Sequence, residues 1–491
     1  MTSRLLFTGL ARWVAVAWLI MLGWGEVWVF LRSRAVCEGK LQAVKVGPHG
    51  KLIAVVSDPQ LTDAFSYGHS GLLLLLEEFY SDLFMRKAFR FVVRPSSPDK
   101  VIVNGDLFDG GKTLDDKDYS AHVKRFESIF GHVDKDHNAN TWYVAGNHDV
   151  GLGKFTSREA EERYKQVFGS RMYSRQVCQH NIVVIDANSL TQNDFQRAPS
   201  FFFERLLVKR QDTLDFVQHT SKALHGPTIL FSHIPLFRSP GVPCLENGDS
   251  YVRTSKPISP GGGRSYQSTL SQQVSSYLLE MLQPELILSG DDHDHCVVAH
   301  TIPEKEGLTA HEHTVATFSW LQGTRNQGLV FLQLSGCTEH EGAPPRVNKV
   351  VCDLPDQFAV YMIYLAVFVL SAILLVIESI VKSRHVLREV PQEHIYPYES
   401  VKQFHEDIES PDASATPLRY RQAAATLKGK EASSPTWTEN HKNESQSETF
   451  TKLARLRPGS RCILGFVCAF RNVVVIVLPY YVIVNMLLLY V

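Results

Sequence analysis

Three apolar stretches constrain this 491-residue chain before anything else does. Trp13 to Leu31 (WVAVAWLIMLGWGEVWVFL), Phe358 to Val381 (FAVYMIYLAVFVLSAILLVIESIV) and Val473 to Val491 are each long enough to cross a bilayer, which takes about 20 helical residues. Only Glu26 interrupts the first. Its apolar run is longer than the core of a cleavable signal and lacks a small-residue cleavage site, so it reads as a retained anchor. Lys382, Arg384 and Arg388 follow the second stretch, and Lys452, Arg455, Arg457 and Arg461 precede the third. Basic flanks mark the cytosolic side. The expected organisation is an N-terminal anchor (1–32), a lumenal domain (33–357), a membrane helix (358–381), a flexible cytosolic segment (382–462) and a C-terminal membrane helix (463–491).

Six of the eight cysteines (Cys37, Cys178, Cys244, Cys296, Cys337, Cys352) fall in the proposed lumenal segment. An oxidising lumen permits disulfides there. Six cysteines allow 15 pairings, and sequence does not choose among them. No CxxC spacing occurs, which argues against a zinc ribbon. Basic and acidic residues balance at 50 and 51, so no basic surface points to nucleic acid.

Within 33–357, apolar β-branched runs alternate with helix-like pieces. KLIAVVSD, DKVIVNGD, NTWYVAGNHD, HNIVVIDA, GPTILFSHIP, PELILSGDDHDH, TVATFSW and GLVFLQL read as strands. HSGLLLLLEEFYSDLFMRKAFRFVV and YSAHVKRFESIFGHV read as helices. That alternation predicts an α/β fold. Residues 238–268, rich in Gly, Pro and Ser, form a long connection in which Arg238, Arg264 and Tyr266 could contact a ligand.

The strands end in a repeated way. Asp58 closes the first, Asp106 the second, Asn147-His148-Asp149 the third, His233 a later one, and Asp291 to His295 the last. One such acid is ordinarily a turn or cap residue. Five ends carrying Asp, Asn or His are a different matter, because ligands of α/β sheets bind beyond the carboxyl ends of strands.

The series Asp58-Pro59-Gln60, Gly105-Asp106-Leu107-Phe108-Asp109, Gly146-Asn147-His148-Asp149, His233 and Gly290-Asp291-Asp292-His293 resembles the calcineurin-like metallophosphoesterases. Within them, DPQL, GDLFDGG, GNHD, SGDDHDHC and the flanking spans resemble the metallophosphoesterase 1 group, which remodels glycosylphosphatidylinositol (GPI) anchors. The resemblance implies a β-sandwich flanked by helices, plus transmembrane helices. It implies two divalent ions, with Mn²⁺ favoured. Asp58, Asp106 and His293 would hold one; Asp106, Asn147, His233 and Asp291 would hold the other, with Asp106 as the bridge. His148 would act on the phosphate, its ring oriented by Asp149; Asp109 is read as a turn or supporting residue. Two departures stand out: Gln60 and Asp291 replace family histidines, and an alternative register makes His295 a ligand instead of Asp291. The implied function is a phosphodiesterase in the endoplasmic reticulum or Golgi lumen. It would remove an ethanolamine-phosphate from the mannose core of GPI-anchored proteins held in the lipid bilayer. Another lumenal phosphoesterase, or a non-catalytic GPI-protein sorting factor, is the alternative.

Overall fold

The computed structural model describes residues 9–44, 50–136, 140–191, 200–245, 258, 261–262, 266–303, 305, 307–337, 344–389 and 458–490. The expected flexible cytosolic segment lies almost wholly outside these residues. The chain begins with α1 (Gly9–Gly23) and α2 (Val29–Ala43), joined by a π-helical turn at Trp24–Trp28. There follow β1 (Lys51–Val56), the one-turn α3 (Ala64–Tyr67), α4 (Gly71–Ala88), β2 (Lys100–Asn104), α5 (Asp116–Phe130), β3 (Thr141–Val144), the one-turn α6 (Asn147–Val150) and α7 (Arg158–Phe168). Next come β4 (Tyr173–Val177), β5 (His180–Val184), α8 (Ser200–Ser221), β6 (Thr228–Phe231), α9 (Gln272–Leu282), β7 (Leu286–Ser289), β8 (Cys296–Thr301) and β9 (Thr309–Thr314). The series closes with β10 (Gly328–Leu334), β11 (Val347–Asp353), α10 (Gln357–Glu389) and α11 (Pro458–Tyr490).

Two mixed sheets form, in the orders β11-β10-β1-β2-β3 and β4-β5-β6-β7-β9-β8. Side chains alternate across each strand. Ile53 and Val55 of β1 therefore face Ile182, Val184, Ile229 and Phe231 of the second sheet. Ala54 and Val56 face the helices, with Phe84, Phe126 and Phe168. α8 and α9 cover the outer face of the second sheet through Val217, Val274 and Leu278. The result is the expected sandwich with flanking helices. The strands β4, β8, β9 and β11 were not legible in the sequence. β9 reads Thr-Ala-His-Glu-His-Thr, polar residues that look like loop; TVATFSW, expected as a strand, contributes only Thr314 to it.

Among the described residues, three helices are long and apolar enough to cross a membrane: Gly9–Ala43, Gln357–Arg384 and Cys462–Met486. The third begins before the expected Val473, and Pro479 sits inside it, as membrane helices tolerate. The chain divides into two compact units, Met1–Ile20 with Tyr364–Tyr480, and Met21–Ile363 with Tyr481–Val491. In the first, Ala11, Val14, Leu375, Ala469 and Val473 bury one another. Trp18 Nε1 donates to Ser371 Oγ at 3.1 Å.

The second unit holds the sandwich. Its disulfides are Cys37–Cys352, Cys178–Cys337 and Cys244–Cys296, so all six cysteines of 33–357 pair. Glu26, the one charge in the first apolar stretch, is buried against Lys87 of α4. Removing one partner of a buried ion pair strands the other charge, at a cost of about 3–5 kcal/mol. Glu26→Ala is expected to lower the thermal stability of the detergent-solubilised chain by that order. Glu26→Leu with Lys87→Met is expected to restore most of it.

Candidate metal centre

Sheet topology gathers the motif residues. β1, β2 and β3 run parallel, so Asp58, Asp106 and Asn147 leave the same edge of the first sheet. β6 and β7 run parallel in the second and release His233 and Asp291 to His293. The two edges meet. One ligand atom each from Asp58, Asp106 and His233 lies within 4.8 Å of the others, and all three residues are buried.

Asp106 is central. Its Oδ1 accepts from the His148 amide at 2.9 Å and lies 3.4 Å from His233 Nε2; its Oδ2 accepts from Gln60 Nε2 at 2.9 Å. His233 Nδ1 contacts the Asn104 carbonyl at 3.1 Å, which leaves Nε2 to face Asn147 Oδ1 at 3.1 Å and Asp291 Oδ1 at 3.9 Å. His293 Nε2 lies 4.0 Å from Asp58 Oδ1, and its Nδ1 meets the Gln322 carbonyl at 3.3 Å. Asp58, Asp106 and His233 thus form the tight core of the pocket, with His293 beside Asp58 and with Asn147 and Asp291 beside His233. His295 stands apart, its Nδ1 3.0 Å from His313 Nε2.

This crowding strains the backbone. Among the described residues eight non-glycines have positive φ, and five are Asp58, Gln60, Asp106, Asp291 and His293. Left-handed backbone at such residues costs about 1–3 kcal/mol each and concentrates at functional sites. The motif glycines are there for clearance. A Cβ on Gly146 would lie 2.0 Å from Asp106 Oδ1, and one on Gly105 2.0 Å from His233 Nδ1.

The donor set fits divalent cations. Asp58 Oδ2 and Gln60 Oε1 are buried with no hydrogen-bond partner, a cost of about 1–3 kcal/mol each if nothing meets them. Burial pushes Asp58 up, and pushes Asp291 up to about 7. Histidines alone therefore do not neutralise the pocket. Carboxylate, amide and imidazole donors suit Mn²⁺, Fe or Zn²⁺. Gln60 turns its NH₂ to Asp106, and only its partnerless oxygen could serve a cation.

One expected role changes residue. Asp149 does not orient His148. Its Oδ1 accepts from the amides of Leu107 and Phe108, and its Oδ2 from Gly146. It holds the GDLF and GNHD turns together. The His148 ring is held by Asp109, whose Oδ1 and carbonyl lie 2.9 and 2.6 Å from Nδ1. Burial would lower the His148 pKa, but the charge of Asp106 and the bond to Asp109 raise it to about 9. The second Asp of GDLFD was a visible signal for Asp109. Lys112, whose Nζ donates to the Asn147 carbonyl at 3.3 Å, had no comparable signal.

The long connection reads differently too. Arg238 is not a solvated ligand contact. It is buried with its Nη2 3.3 Å from Glu312 Oε2, which also meets His300 Nε2 at 2.7 Å. Arg264 lies outside the described residues. Burial alone would raise the Glu312 pKa, but Arg238 and His300 bring it down to about 2 from 4.5. A depressed carboxyl stabilises the fold fully above 4.5 and loses that contribution as pH falls towards 2, here about 3 kcal/mol. Thermal melts across that window should show this loss, and Glu312→Gln should flatten it.

Mn²⁺ is expected to raise the melting temperature of the chain, because a ligand that binds only the folded state stabilises it. Asp106→Asn, which removes the charge at the centre of the Asp58–Asp106–His233 cluster, is expected to abolish that rise.

Comparison with known proteins places this geometry. The calcineurin-like phosphoesterase family matches residues 51–295. The chain is 27% identical over 378 residues to cell division control protein 1 of Saccharomyces cerevisiae, covering 74% of this chain and 73% of that one. It is 27% identical over 307 residues to metallophosphoesterase 1 of Ailuropoda melanoleuca, covering 60% and 71%. With the metallophosphoesterase 1 homolog of Drosophila melanogaster it shares 28% over 335 residues, covering 65% and 80%. The strand-end motifs, the pocket they build and these relatives agree: the chain belongs to the calcineurin-like phosphoesterase family, metal-dependent hydrolases of phosphoric esters.

Proposed function

We propose that the protein is a membrane-anchored two-metal phosphodiesterase that removes an ethanolamine-phosphate side group from the mannose core of GPI anchors, in the lumen of the endoplasmic reticulum or Golgi. The observation that supports the hydrolytic part is the buried cluster of Asp58, Asp106 and His233, with His148 beside Asp106. Asp58, Asp106 and His293 would hold one ion, and Asp106, Asn147, His233 and Asp291 the other. Mn²⁺ is the favoured metal, since Asp291 offers a hard carboxylate. When bound there, two such ions would supply an activated water and charge stabilisation for a phosphoryl transfer.

The chain's own residues do the rest. Asp109 commits Nδ1 of His148, which leaves Nε2 to meet a substrate oxygen and supply a proton to the leaving group. Lys112 adds a positive charge beside Asn147. Asp149 keeps the two motif turns in register. Three disulfides support an oxidising compartment, and three candidate membrane helices support an enzyme and a GPI lipid confined to the same membrane. The relatives named metallophosphoesterase 1 support a phosphoester as substrate, and the resemblance of the motifs to that group suggests the GPI glycan.

His148→Ala is expected to cut turnover of a simple diester by about 10²–10⁴-fold, and Asp109→Ala by about 10–100-fold, each with the Mn²⁺-dependent rise in melting temperature retained. Cells carrying His148→Ala should accumulate GPI glycans with one extra phosphoethanolamine by mass analysis. Unchanged glycans would favour the sorting-factor reading. Preference for a monoester would favour a different phosphoesterase.

A further inference from the structure

The first half of α4 stands clear of the sandwich. From Gly71 to Tyr80 no residue is buried, whereas Ser81 to Met85 are. Leu72 and Leu75 are 73% and 62% exposed, and Leu73, Leu76 and Phe79 are exposed as well. The spacing i, i+3, i+4, i+7 puts Leu72, Leu75, Leu76 and Phe79 on one helical stripe. Phe65 and Tyr67 of α3 extend the apolar surface. His69 Nδ1 meets Glu77 Oε1 at 2.7 Å and ties the α3–α4 turn back onto α4. Contiguous apolar surface of this kind marks a contact with something else.

Its anchorage says what that is. The buried half of α4 packs on the first apolar helix, through the Glu26–Lys87 pair and through Phe84 against Phe30, with ring centres 5.7 Å apart. Tyr80, where the exposed half ends, stacks edge-on against Tyr361, one turn into the second membrane-length helix, at 6.0 Å. The leucine stripe is thus continuous with the entry points of two candidate membrane spans. At the other end it reaches the metal centre from two sides. Lys112, bonded to the Asn147 carbonyl, lies over the Phe65 ring at 5.9 Å. The Tyr67 hydroxyl donates to the Leu321 carbonyl, next to the Gln322 carbonyl that contacts His293.

From this juxtaposition we infer that α3 and the first half of α4 form a lip that inserts into the bilayer surface and seats the metal centre against it, so that the site takes phosphoesters borne by membrane lipids. The stripe carries the leucines and phenylalanine that partition into an interface. The inference rests on the membrane-anchored reading above but not on the identity of the head group.

The test uses the full chain reconstituted in phosphatidylcholine vesicles. Leu73→Trp and Leu76→Trp each add a tryptophan to the lip; Glu159→Trp adds one to an exposed face of α7 as a control. Lipids brominated on their acyl chains are expected to quench the added emission of the first two and not of the third. Lip tryptophans that behave like the control overturn the inference. So does quenching that appears only at one copy per vesicle, which would mean that a second copy covers the stripe. In a second arm, Leu72, Leu73, Leu75 and Leu76 are all changed to Ser. Turnover of a long-chain phosphodiester lipid in vesicles should fall about tenfold, with turnover of soluble bis(p-nitrophenyl) phosphate unchanged. Equal rates on the lipid for variant and wild type overturn the inference. If the wild type turned over neither probe, the hydrolase reading would fail, while the quenching would still decide the lip.

Discussion

Asp58, Asp106 and Asp291 share one enclosed pocket, and the rest of the structure follows from what that requires. Carboxylates this close repel one another, and burial removes the water that would screen them. His233 sits among all three, 3.8 Å from Asp58, 3.4 Å from Asp106 and 3.9 Å from Asp291, yet it supplies at most one positive charge. Divalent cations would resolve the imbalance.

Such a pocket must be enforced by stiff surroundings. The strand ends that carry the acids are rooted in two sheets whose shared interior is apolar and buried. Strained φ values at five motif residues are tolerated because those sheets and the backbone bonds between turns over-determine the positions. Gln60 N donates to the Asp106 carbonyl at 2.8 Å, and Leu61 N to that of Leu107 at 3.1 Å. Asp149 adds three more bonds across the same turns. That Asp149 is a structural clasp and not the expected catalytic partner is a matter of reach: neighbours along a single helical turn point to different sides, so Asp149 faces inward while Asp109, from another loop, meets the imidazole.

Much of the site was legible because its chemistry is written in short local patterns. A glycine, an acid and a preceding β-branched run appear together in the sequence. One such pattern suits any turn, whereas five in series are what a shared ligand pocket demands. The helices α4 and α5 were legible for the same reason. Polar strands were not. β9 buries Glu312 and His313 only because Arg238 and His300, distant in sequence, are there to receive Glu312. Cysteine pairing, the partner of Glu26 and the placement of Arg238 likewise depend on residues far apart along the chain.

Sequence by itself therefore determined the membrane-length helices, the α/β alternation and the acids, amides and imidazoles gathered at the strand ends, since each depends on composition and spacing over a few neighbouring residues. Tertiary structure alone decided that Asp109 holds His148, that His295 turns away to His313, and that a leucine stripe is left exposed on α4. Those outcomes depend on which surfaces meet after packing, and packing is decided by the whole chain at once.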